Sequence, residues 1–199
     1  MGIDAKYQAL PDPCELLERA TREPDFGEVL ATTRSAFVYR GVWHGPTPET
    51  SRVDFYSTVR HMIADYPDIE TRNYVTRTWD ALHYVLSSER RRGVVDAHDQ
   101  GTIAVRGGSP VGALCSTIGT PIRFTRADQV RELAEWIESI APSRLREHVD
   151  TEVMRLAGIY KFRFRENTDF LWIIESYLHL ASLYRDAANR GEGVLVVFD

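Results

Sequence analysis

Cysteine is scarce in this 199-residue chain: Cys14 and Cys115 are the only two. They do not form a C-x-x-C pair and cannot supply a structural zinc site by themselves. They can stand as two free thiols, the expectation for a reducing compartment, or as one disulfide. Long apolar runs are also missing, and none approaches the length needed to span a bilayer. The chain has no large excess of positive charge. Lys and Arg total 24 against 29 Asp and Glu, for a net charge of -5. That balance argues against nonspecific binding to DNA, RNA or anionic lipid, so neither nucleic acid nor a membrane is expected as a partner. Arg90-Arg91-Arg92 is a local basic run. It reads as a solvated helix end, the alternative being a phosphate-binding patch, and it is too narrow for a nucleic-acid stripe. The first ten residues lack a charged leader followed by an apolar stretch, so a cytoplasmic location is expected.

Catalytic signatures are equally sparse. The six histidines give neither H-x-x-x-H nor H-E-x-x-H, and no metal or cofactor is expected. His98-Asp99 after Asp96 reads as a polar loop, and Glu175 with His179 as a solvated pair. Gly107-Gly108 could offer amides to a phosphate but lacks the lysine and hydroxyl of a P-loop. A turn that needs positive φ explains it as well. Ser35, Ser109 and Ser116 have no G-x-S-x-G setting, and Cys115 has no base beside it. No nucleophile, base and orienter assemble from sequence.

What is present is ordinary globular material: 43% hydrophobic and 27% charged residues, enough for one domain over residues 1–199. Residues 2–10 alternate Ile3, Ala5, Tyr7 and Ala9 against Asp4, Lys6 and Gln8, a strand pattern. Asp12-Pro13-Cys14-Glu15 carries a capping aspartate, a proline at the first helical position and a glutamate at the third, so a helix is expected up to Pro24. Residues 34–50 are punctuated by Gly41, Gly45, Pro46 and Pro48 and read as a loop. Residues 53–66 form a helix with Tyr56, Val59, Ile63 and Tyr66 on one face. Residues 101–119 are irregular, with 102–105 extended and turns at the glycines. Thr125-Arg126-Ala127-Asp128 is a capping box opening a helix with Val130, Leu133, Ala134, Ile137 and Ile140 inward. Leu145, Val149, Val153 and Leu156 define another helix, closed by Gly158. Asn167 or Thr168 caps the longest one, over 169–189, with Phe170, Ile173, Ile174, Tyr177, Ala181, Tyr184 and Ala188 inward. Residues 194–198 are apolar on both strand faces, which predicts a central strand covered on both sides. Helices above and below a sheet make a layered α/β or α+β domain.

The densest chemistry lies in Arg77-Thr78-Trp79-Asp80-Ala81-Leu82-His83-Tyr84-Val85-Leu86. This reads as a short helix that ends near the arginine run and Gly93. His83 shares its side with Trp79, Leu82 and Leu86, while Asp80 and Tyr84 sit at the edge. A buried imidazole must satisfy a donor and an acceptor. Asp80 can orient it through a bridging group, as a carboxylate orients a catalytic histidine, or His83 can be structural, bonded to backbone or to Asp80. Tyr39 and Trp43, in the 34–50 segment, are either contact anchors or covers for one end of the sheet.

Three blocks make the chain similar to the YfbM-like family, a bacterial family of undetermined role. They are Met1-Gly2-Ile3-Asp4-Ala5, then Arg77-Thr78-Trp79-Asp80-Ala81-Leu82-His83, and finally a stretch from Ile122-Arg123-Phe124-Thr125 through Gly158-Ile159-Tyr160 to the last helix and strand. The resemblance implies a helix-sheet-helix sandwich over the whole chain. It brings no reaction, cofactor or catalytic residue. Two functions stand open. One is a non-catalytic protein-binding module, immunity- or antitoxin-like, suited to a compact acidic domain. The other is a small-ligand site or enzyme built around Trp79, Asp80, His83 and Tyr39.

Overall fold

The computed structural model describes residues 2–32, 49–94, 96–160 and 166–199. Along the chain run β1 (Ala5–Pro11), α1 (Glu15–Arg22), α2 (Pro24–Thr32), α3 (Glu49–Asp65), a 3-10 turn (Ile69–Thr71), β2 (Asn73–Thr76), α4 (Trp79–Leu86), α5 (Ser88–Arg91) and α6 (Gln100–Arg106). β3 (Ser109–Cys115), β4 (Pro121–Thr125), α7 (Ala127–Ser139), α8 (Pro142–Arg146), α9 (Thr151–Leu156), α10 (Glu166–Arg190) and β5 (Glu192–Phe198) follow. The five strands make one sheet in the order β2-β1-β5-β4-β3, with every neighbouring pair antiparallel.

The twofold alternation of β5 sorts the molecule into layers. Val194, Val196 and Phe198 enter one core with Ala5, Tyr7 and Ala9 of β1 and with buried residues of α4, α6, α7 and α10. Leu195 enters the other with Leu10, Ile122 and buried residues of α1, α2 and α3. Helices therefore cover both faces of the sheet, as the layered α/β expectation requires, and β5 lies at its centre.

Several local expectations change. β1 is covered on both faces, so Gln8 is buried, and its amide donates to the carbonyls of Ile69 and Arg72 at 2.9 and 3.1 Å. Asp12 does not cap α1, which starts at Glu15 after Cys14. Its carboxylate accepts instead from the Ala127 amide of α7 at 2.8 Å, 115 residues away. The Thr125 box is correspondingly not made: α7 starts after Arg126 without a local side-chain cap, and the Thr125 hydroxyl accepts from Gly108 N. Residues 102–105 are helical rather than extended, within α6, because Asp99 caps that helix through Thr102 N. Helix α3 buries Phe55, Thr58, Val59 and Met62, a face rotated from the expected one, and Tyr66 is exposed. The helix expected from Leu145 to Leu156 is two short ones. Asp150 caps the second, which buries Met154 and leaves Val153 and Leu156 exposed. α10 begins at Glu166, upstream of both expected caps. Most of the 34–50 segment, with Tyr39 and Trp43, lies outside the described residues.

Candidate functional site

α4 is short because its register leaves no solvent face: all 8 of its residues are buried. Asp80 in the first turn complements the positive end of the helix. The chain stops being helical at Ser87, whose hydroxyl accepts from Arg90 N and opens α5. The helix thus ends at Leu86, just short of the arginine run, which falls at the end of α5.

The three arginines are mostly structural. Arg90 reaches back to the Asp80 carboxylate at 3.3 Å. Arg91 Nη1 donates to the carbonyls of Tyr84 and Val85 at 3.1 and 2.8 Å, satisfying acceptors that a helix end leaves open. Arg92 alone fits the solvated reading, paired at the surface with Glu89.

Around Trp79 the three sequence blocks meet. The indole Nε1 donates to the Ile3 carbonyl at 3.2 Å. The Ile3 amide in turn donates to the Tyr160 hydroxyl at 2.6 Å. The Tyr160 amide donates to Asp80 Oδ2 at 2.9 Å, closing a ring of contacts. Tyr160 stacks on the indole at 5.9 Å between centroids, and Phe198 meets it edge-on at 4.9 Å. The Arg106 guanidinium lies 5.7 Å from the indole centroid and 5.6 Å from that of Phe198, within cation-π range. Arg77, at the start of the middle block, pairs with Asp4 of the first at 2.6 Å.

His83 is completely enclosed. It does not bond Asp80, whose carboxylate is taken by Arg90 and Tyr160. Its Nε2 faces the Thr102 hydroxyl at 3.0 Å, joining α4 to α6. Nδ1 has no partner among the described residues. Donation from Nε2–H leaves only a lone pair unmet there, which suits the neutral ring. Burial pushes the imidazole down to about 3, and the nearby Arg106 and Arg90 cations act in the same direction. His83 is therefore neutral in ordinary buffers. The helices approach closely here because residue 101 is glycine: a Cβ there would sit 2.6 Å from the Leu86 carbonyl carbon and oxygen.

Trp79, Asp80 and His83 are thus brought together, but each is bonded inward, and a ligand reaching them must displace Arg90, Tyr160 or Ile3. Tyr160, Thr102 and Arg106 complete the cluster and were not picked out beforehand as site residues. Only the Gly158-Ile159-Tyr160 block hinted at the first of them. Cys14 is buried, with its thiol pushed up to about 11 by burial, and Cys115 is exposed; both are free thiols. Among the described residues no three His, Cys, Asp or Glu side chains converge as metal ligands. No helix among them is long and apolar enough to cross a membrane.

The solved structure of YfbM from Escherichia coli, a protein of unknown function, is similar with a TM-score of 0.57 at 15% identity, covering 98% of this chain and 99% of that one. At that identity the likeness shows the fold alone. No curated protein matches the chain. The family defined by a domain of unknown function, DUF1877, matches residues 1–197. A chain matched over that span, with its conspicuous tryptophan helix tied to both other blocks, belongs to the DUF1877 family.

Proposed function

We propose that this protein is a non-catalytic binding module for another protein, acting in the cytoplasm in the manner of an immunity protein or antitoxin. The observation that carries this reading is a contrast in where the large apolar side chains lie. The Trp79 cluster is turned inward and consumed by its own hydrogen bonds. On α10, by contrast, Leu171, Trp172 and Leu178 remain 65%, 46% and 52% exposed. These three, with Glu175 between them, fall on the side of α10 away from Ile173, Tyr177, Leu180 and Tyr184. Grouped exposed apolar side chains are what a protein-binding surface presents, and tryptophan is a preferred anchor.

The acidic balance of the chain points to a partner with an apolar patch ringed by basic groups, since complementary charge speeds and orients association. The experiment is co-purification of the tagged protein and a Trp172→Asp variant from the native host, with photo-crosslinking from position 178. Supporting the reading requires one stoichiometric partner that the wild type retains, the variant loses, and position 178 crosslinks. A partner held equally by both forms, or none at all, counts against it.

A further inference from the structure

A second feature of the surface has a different chemistry. A cleft of about 260 Å³ opens where the C-terminal ends of α4 and α7 meet α8. Its floor is apolar, from Val85, Leu86, Ile140 and Leu145. Its basic lining is the two guanidiniums of Arg91 and Arg144 and the imidazole of His148, with no carboxylate among them. This volume lies just below the range of cavities that take drug-sized molecules, so it suits a small group.

These basic groups are only partly used by their neighbours. Arg91 uses Nη1 on the two α4 carbonyls, which fixes the plane of its guanidinium and leaves Nη2 and Nε without partners among the described residues. Arg144 is exposed and makes no ion pair among the described residues, and the half-buried His148 makes no side-chain hydrogen bond among them. Asp99 and Glu147 are the carboxylates that favour the charged forms of Arg91 and His148 respectively, yet neither lines the cleft. Arg92 opposes Arg91 from its own helix end. Burial, then Arg91 and Arg144, hold His148 below the usual imidazole value, with only Glu147 acting against them. Helix-end capping explains one nitrogen of Arg91. Arg144 also stands in the last turn of α8, where a cation is favoured, but neither it nor His148 makes a side-chain hydrogen bond among the described residues, so both keep their donors for a ligand.

We propose that this cleft binds a phosphate group, held by the fixed fork of Arg91, by Arg144 closing from the rim, and by His148 as a third donor. A phosphate dianion balances two guanidiniums where a carboxylate balances one, and its several oxygens accept from donors arriving on different sides. The apolar floor leaves room for a compact, non-polar body carrying that phosphate. This site is separate from the α10 surface, and its failure would leave the protein-binding reading untouched.

The test follows the imidazole resonances of the whole protein by NMR while inorganic phosphate replaces chloride at constant ionic strength. His61, His98 and His179 are exposed and serve as internal references. Binding predicts a saturable shift confined to His148 and a rise of about one unit in its pKa, as an opposite charge at contact produces. Arg144→Ala, a change at an exposed position, should weaken binding about tenfold, the loss of one charge-assisted contact, with the melting temperature unchanged. Acetate at the same ionic strength should shift His148 less. If His148 responds to phosphate no more than the three reference histidines do, the site is overturned. A saturable response to acetate alone overturns the phosphate assignment, and so does an Arg144→Ala protein that binds phosphate as well as the wild type.

Discussion

The two helical layers hold to the same sheet by different means. The α1–α3 layer rests mainly on apolar contact, with the Gln8 bond to the Ile69 carbonyl as a buried polar tie: Leu16, Phe26, Val29, Phe55 and Ile69 are almost completely buried, and Phe26 meets Phe55 at 5.1 Å. Its charged pairs lie at the margin, where Arg19 reaches Glu23 and Asp54. The opposite layer is threaded with buried polar bonds. The Tyr7 hydroxyl donates to Val105 O at 2.8 Å and the Tyr184 hydroxyl to Ala104 O at 3.0 Å, while His83 meets Thr102 and Asp80 meets Tyr160. Burial raises both tyrosine pKa values, which keeps the phenols protonated as donors. Apolar contact is tolerant of angle, whereas hydrogen bonds between distant segments fix one arrangement. Most of the buried family-block side chains, Trp79, Leu82 and Ile159 among them, pack in the second layer, although Ile122 belongs to the first. Trp79, Asp80 and Tyr160 of those blocks are thus among the residues that specify helix placement.

Three measurements test that difference between the layers. The largest effect belongs to the apolar layer. Phe55→Ala should cost about 3–5 kcal/mol by removing a ring from a packed interior, measured by urea unfolding, with the loss independent of pH. A loss below about 1 kcal/mol would mean that this layer is loosely packed and the contrast is misplaced. Next comes Asp80→Ala, expected to cost about 2–3 kcal/mol because the Tyr160 amide and Arg90 both lose their shared acceptor. Its unfolding curve should show Tyr160 and Trp79 fluorescence changing together, and full wild-type stability would sink the polar-specification argument.

The smallest is a pH effect from His83. Its folded pKa is depressed to about 3, below the 6.5 of the free side chain. Between those values the unfolded chain binds a proton that the folded one does not, so stability falls as pH falls. The wild type should lose on the order of 1–2 kcal/mol from this group between pH 7.5 and 5, a discount on the limiting slope of about 1.4 kcal/mol per pH unit. His83→Gln should flatten that part of the pH dependence. An equal slope in the variant would assign the acid sensitivity elsewhere.

Complete periodic patterns were readable from the chain itself. β5, the inner faces of α7 and α10, and the apolar side of α4 follow from spacing, because in each case one run of residues decides its own burial. Features decided by contact partners were not. Pro24 looked like a stop and also begins α2, since proline suits the first turn of a helix. α6 was hidden by Gly101 and the β-branched Thr102, Ile103 and Val105; Gly101 permits close approach to α4, and Thr102 meets His83 of that helix. Asp12 and Thr125 carried valid capping chemistry, but tertiary contact redirected both. At the site, the inward position of His83 was legible from the helical spacing. Its partner Thr102 was not, nor was the Asp80–Tyr160 bond across 80 residues, because neither leaves a local signature.

The place of β5 also bears on how the protein is made. β1 and β2 form one antiparallel pair and β3 and β4 another, and the two pairs share no edge except through residues 192–198. During synthesis both ribbons therefore leave the ribosome with an open border, and neither can be sealed until the last strand follows α10 out of the exit tunnel. Until that moment the nascent chain carries two exposed edges, so a ribosome stalled inside α10 displays surfaces that the finished molecule never shows.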